Sequence, residues 1–115
     1  MTPETLRDLV ITALEDKKGR EITSLNVSKT SGITDFMVIV SGTSDRHVKA
    51  LVDSVVEAAS RAGQKPIGVE GRETYEWVLV DLGDVLVHVM QTETRAFYDL
   101  ERLWSDLPAD SEAGV

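Results

Sequence analysis

Phe36-Met37-Val38-Ile39-Val40-Ser41-Gly42-Thr43-Ser44 is the stretch on which the fold turns. Its first five residues are apolar without interruption and partly β-branched, the pattern of a central strand buried on both faces. The tight turn Ser41-Gly42-Thr43-Ser44 follows, and Ser44 suits a helix N-cap. The helix it starts places Val48, Leu51, Val52, Val55, Ala59 and Ala62 on one face, with Gly63 at the C′ position. Lys65 to Val69 reads as the next strand, opened by Pro66. Strand, helix and strand make a βαβ crossover.

Upstream, Thr2 caps a helix with Pro3 at its first position. Leu6, Leu9, Val10, Ala13 and Leu14 keep helical spacing, and Gly19 closes the segment, so the helix covers about residues 3–18. Residues 21–27 read as a short, weakly alternating strand, and Ser28 to Thr34 as a polar connection. Downstream, Glu76–Val80 and Asp84–Met90 form a hairpin joined by Asp81-Leu82-Gly83. A three-residue loop with Gly83 at positive φ fits better than a two-residue type I′ turn, which would put Leu82 there. Trp77 and Leu79 then share a face with Val85, Val87 and Val89, and Val78 and Val80 share the other with Leu86, His88 and Met90. The two-residue alternative reshuffles these sets and leaves both faces apolar. A last helix runs from about Glu93 to Trp104, and Pro108 stops it.

The resulting order is α-β-β-α-β-β-β-α, a mixed sheet with flanking helices. This is an α+β fold, an α/β sandwich. Residues 1–105 form one domain, and 106–115 read as a disordered tail.

Composition narrows the chemistry. The 115 residues carry 20 acidic against 12 basic side chains, a formal charge of −8. A protein that binds mainly through phosphates needs the opposite excess, so nucleic acid is not expected as the main partner. A basic protein is, although the charge also serves solubility. The chain has no cysteine, which removes disulfides and thiolate chemistry. The N-terminus does not read as a secretory signal, and no apolar run is long enough to span a bilayer, so the cytoplasm is the expected compartment.

Catalytic and cofactor signals are weak. His47 and His88 are the only histidines and stand in no ligand-spaced cluster, so no metal or cofactor is expected. Ser41-Gly42-Thr43-Ser44 before a helix offers amides to an anion, and a similar turn begins the nucleotidyltransferase fold. Such an enzyme needs closely spaced aspartates for its metal ions. Asp81 and Asp84 flank a hairpin turn instead, and a helix cap with a polar turn explains the serines. No serine lies in a nucleophile elbow. The hairpin remains. One of its apolar faces, left uncovered, would be a partner site, and Leu82 at a turn tip points the same way, because turns are normally polar.

The chain resembles the ribosomal silencing factor S family, also called Iojap, over residues 34–104 in order and spacing. The resemblance rests on Thr34-Asp35-Phe36-Met37-Val38-Ile39-Val40-Ser41-Gly42-Thr43-Ser44, Arg46-His47-Val48 and Gly68-Val69-Glu70-Gly71. It continues through Glu76-Trp77-Val78-Leu79-Val80-Asp81-Leu82-Gly83-Asp84-Val85-Leu86-Val87-His88 and the run Arg95 to Trp104. It implies a nucleotidyltransferase-like fold without catalytic aspartates, hence no enzyme. It further implies a translational repressor that binds a basic large-subunit ribosomal protein and blocks subunit joining under nutrient limitation. It also allows a homodimer. Its implied partner surface is Glu70, Trp77, Leu79, Asp81, Leu82, Met90, Arg95, Tyr98 and Asp99. Tyr75 departs from the small residue expected before Glu76-Trp77. The competing reading is a small nucleotide-binding or nucleotidyl-transferring enzyme.

Overall fold

The computed structural model of the chain describes residues 1–100 and 102. The last helix, expected to continue unbroken from about Glu93 to Trp104, ends at Tyr98, where Asp99 takes a left-handed backbone at φ 51; its expected stop at Pro108 and the tail 106–115 lie outside the described residues.

Thr2 caps the first helix, α1 (Pro3–Asp16), its hydroxyl accepting the Thr5 N–H at 3.1 Å. Strand β1 (Arg20–Asn26) follows, then one turn of helix, α2 (Ser28–Ser31), where a plain connection was expected. Ser28-Lys29-Thr30-Ser31 has no apolar residue and therefore no periodicity to read. Next come β2 (Phe36–Gly42), α3 (Asp45–Arg61), β3 (Gly68–Glu70), β4 (Trp77–Asp81), β5 (Val85–Gln91) and α4 (Thr92–Tyr98). Ser44 caps α3, accepting the His47 N–H at 3.1 Å, so the serine turn is used in starting a helix.

The five strands form one mixed sheet in the order β1-β2-β5-β4-β3. Strand β2 is buried along its whole length, as its apolar run implied. Its parallel neighbour is β5. The expected crossover from β2 through α3 to β3 therefore spans the sheet, because the hairpin β4–β5 inserts between the two strands. Strand β3 lies at the edge, antiparallel to β4.

The hairpin register differs from the expected one. Trp77 pairs with Met90, Leu79 with His88 and Asp81 with Leu86. The Leu82 N–H bonds the Val85 carbonyl at 3.0 Å, leaving Gly83 and Asp84 as a two-residue turn. Gly83, at φ 86, supplies the left-handed residue, so no side chain is strained there. The change of loop parity sends each strand's residues to the other set of partners. Trp77, Leu79 and Asp81 share a face with Leu86, His88 and Met90, and Val78 and Val80 share theirs with Val85, Val87 and Val89.

The valine face is covered by α1 and α3. Leu6, Val10, Ala13 and Leu14 meet Val48, Leu51, Val52, Val55 and Ala59 over Val38, Val40 and the hairpin valines. The opposite face is covered only in part. Val27, Met37, Ile39 and Met90 form a smaller cluster, flanked by Leu25, Trp77 and Leu100.

Candidate functional site

The uncovered part of the second face carries the site. Side chains alternate along a strand, so β4 presents Trp77 and Leu79 here and sends Val78 and Val80 into the core. Both Trp77 and Leu79 are half-buried. The Trp77 indole N–H donates to His88 Nδ1 at 3.0 Å, and its ring packs on Tyr98 with centroids 4.8 Å apart. Phe97 meets Tyr98 edge-on at 5.0 Å. Phe97 is 81% and Tyr98 54% exposed, so an aromatic row runs from the sheet into solvent.

Beside the row lies an open hollow of about 260 Å³, lined by Glu70, Gly71, Trp77, Leu79 and His88. Gly71 stands at φ 102, and a Cβ there would overlap the Trp77 carbonyl oxygen. Only glycine lets the chain leaving β3 pass this close to β4. His88 forms the floor. Burial pushes its pKa down to about 4, so the ring is neutral near pH 7.

The implied partner surface divides under this geometry. Glu70, Trp77, Leu79, Asp81, Tyr98 and Asp99 all retain exposed surface. Asp81 accepts the Gly83 N–H at 2.9 Å, which ties its carboxylate into the turn. Leu82, expected to project from the tip, is 2% exposed and packs in the helix-side core. The reason is the turn itself: Gly83 and Asp84 make the tip, and Leu82 is the last paired residue before it. Met90 is fully buried beneath the open face. Arg95 is 7% exposed and works as an internal strut. It donates to Ser41 Oγ at 3.0 Å, Thr23 Oγ1 at 3.1 Å and the Arg20 carbonyl at 3.5 Å, tying α4 to β1 and β2. These three residues are buried, Met90 beneath the open face, Arg95 between α4 and the sheet, and Leu82 on the opposite, helix-covered face.

Phe97, Leu86 and His88 were not among the expected site residues. The two-residue turn puts Leu86 and His88 on the same face as Trp77, and that register was the signal. Phe97 adjoins Tyr98, and its apolar ring on a helix with no large buried face marks it as exposed. Tyr75, at φ 56, a backbone that favours glycine, lies away from this site: its ring packs against the helix-side core beside Asp45, Arg46 and Lys49 of α3.

Fold and site thus define a small α+β domain with an exposed aromatic patch beside an open hollow. The chain belongs to the family described as ribosomal silencing factor during starvation, RsfS, which matches residues 1–114. It is 46% identical over 104 residues to the ribosomal silencing factor RsfS of Chromobacterium violaceum, covering 90% of this chain and 85% of that one. A crystal structure of a protein from the same organism superposes with a TM-score of 0.90 at 45% identity, covering 93% of this chain and 89% of that one. A mouse protein named for mitochondrial assembly of the ribosomal large subunit is 35% identical over 101 residues, covering 85% of this chain and 44% of that one.

Proposed function

We propose that this chain is a cytoplasmic translational repressor. It docks the open face of its sheet on a basic protein of the large ribosomal subunit and, when nutrients are scarce, blocks joining of the small subunit. The observation that carries the reading is the half-covered sheet face, where Trp77, Leu79, Phe97 and Tyr98 present aromatic and apolar surface to solvent. Aromatic side chains that are partly held by the fold and partly exposed make effective interface anchors, because little further ordering is needed on binding. The charge of −8 favours encounter with a basic partner. The mouse relative's name refers to the large ribosomal subunit, which agrees with that choice of partner.

The chain acts in this reading without catalysis. Asp81 and Asp84 flank the hairpin turn, and the Asp81 carboxylate is bonded to the backbone of that turn.

Sedimentation with isolated large subunits tests the proposal. The protein should pellet with them at low salt and less so as salt rises, and loaded subunits should fail to join added small subunits. Protein that stays in the supernatant at low and moderate salt contradicts it.

A further inference from the structure

The hollow on the open face is lined by a buried imidazole that the fold uses at only one of its nitrogens. His88 is 9% exposed, and its Nδ1 accepts the Trp77 indole N–H. Indole nitrogen only donates, so Nδ1 carries a lone pair and the hydrogen of the neutral ring sits on Nε2. Among the described residues no group hydrogen-bonds to Nε2. In the free protein water in the open hollow reaches this donor, so a docked protein that closes the hollow must supply an acceptor or leave the donor unpaired at a cost. The ring lines the hollow, and the edge not taken by Trp77 is the one that carries Nε2.

We propose that the Nε2–H of His88 is the specificity-determining donor of this hollow, and that it receives a neutral oxygen acceptor at the tip of a side chain of the docked protein. The assignment rests on the docking reading above and adds the chemistry of one contact. Trp77 and Leu79 provide apolar walls for the stem of that side chain. A carboxylate tip would meet Glu70 at the rim and the protein's overall negative charge. A lysine or arginine tip would pair with the Glu70 carboxylate at the rim and leave the donor at the floor unanswered, since one ring nitrogen is taken and the other donates. A wholly apolar tip would seal the donor away from water without a partner. Threonine, asparagine and glutamine satisfy all of these conditions.

Two substitutions separate this role from support of Trp77. An asparagine amide oxygen reaches the place of Nδ1 and can keep the Trp77 bond, but nothing then reaches the place of Nε2. A glutamine amide extends to the place of Nε2 and restores a donor. In titrations against isolated large subunits, His88→Asn should bind at least tenfold more weakly than the parent. His88→Gln should stay within threefold of it, and both should melt close to the parent. If the asparagine variant melts well below it, His88→Leu takes its place and should show the same tenfold loss. Asparagine, or leucine in its stead, binding within threefold of the parent overturns the assignment, and so does a glutamine variant as weak as the asparagine one. Trp77→Ala serves as the control. If it abolishes binding while His88→Asn keeps it, the donor role alone fails. A parent that does not bind the subunits overturns the docking reading and this one together.

Discussion

The two faces of the β4–β5 hairpin differ in chemistry although their residues alternate along the same strands. Towards α1 and α3 the hairpin turns Val78, Val80, Val85, Val87 and Val89, all fully buried. Away from the helices it turns Trp77, Leu79, Leu86, His88 and Met90, of which only the last two are buried. The helix side is uniform, β-branched and free of polar side-chain atoms, which suits close packing on a pleated surface. The open side mixes large side chains with an indole N–H and an imidazole. One face secures the fold, and the other has the composition of a contact surface.

Paired truncations test this division most strongly. Leu51, fully buried on α3, packs in the helix-side core. Leu51→Ala should cost roughly 2–5 kcal/mol in urea unfolding, because it removes buried surface and leaves a cavity. Leu79→Ala, on the open face, should cost about 1 kcal/mol, since much of its side chain already meets water. Equal losses would erase the distinction between the faces.

The next effect is the response of the open face to acid. His88 has an ordinary pKa of 6.5 when exposed and about 4 in the fold. Between these values the unfolded chain holds a proton that the folded chain lacks, so stability rises with pH there. The contribution is complete above about pH 6.5 and is lost as pH falls towards about 4, roughly 3 kcal/mol in all. Urea unfolding from pH 7 to pH 4 should show this loss in the parent beyond that in His88→Asn. Identical slopes would mean that His88 is not held neutral by burial.

Part of this arrangement is legible in local sequence pattern alone. The run Phe36–Val40 specified a strand buried on both sides, and the spacing from Val48 to Ala59 specified α3 and its buried face. Strand order was not legible, because periodicity says which residues face inward and nothing about which strand lies beside which. The hairpin β4–β5 enters between β2 and β3, a long-range event with no local mark. The site suffered from one ambiguous glycine. Gly83 fits either as the last residue of a longer loop or as the first of a two-residue turn, and the choice reverses the faces. Burial of Leu82 in the core favours the second, and no feature of the turn sequence reveals that burial. Arg95 was equally opaque: it bonds to Arg20, Thr23 and Ser41, residues far away along the chain.

Trp77 belongs to both regions, half-buried in the fold and half-exposed on the open face. The most direct measurement is a large-subunit binding titration of Trp77→Ala, with thermal melting of the same variant. Loss of the indole should weaken binding by about 2 kcal/mol or more, near thirtyfold, while the variant remains folded at the assay temperature. A folded Trp77→Ala protein that binds as tightly as the parent would contradict the claim that the open face is the docking surface.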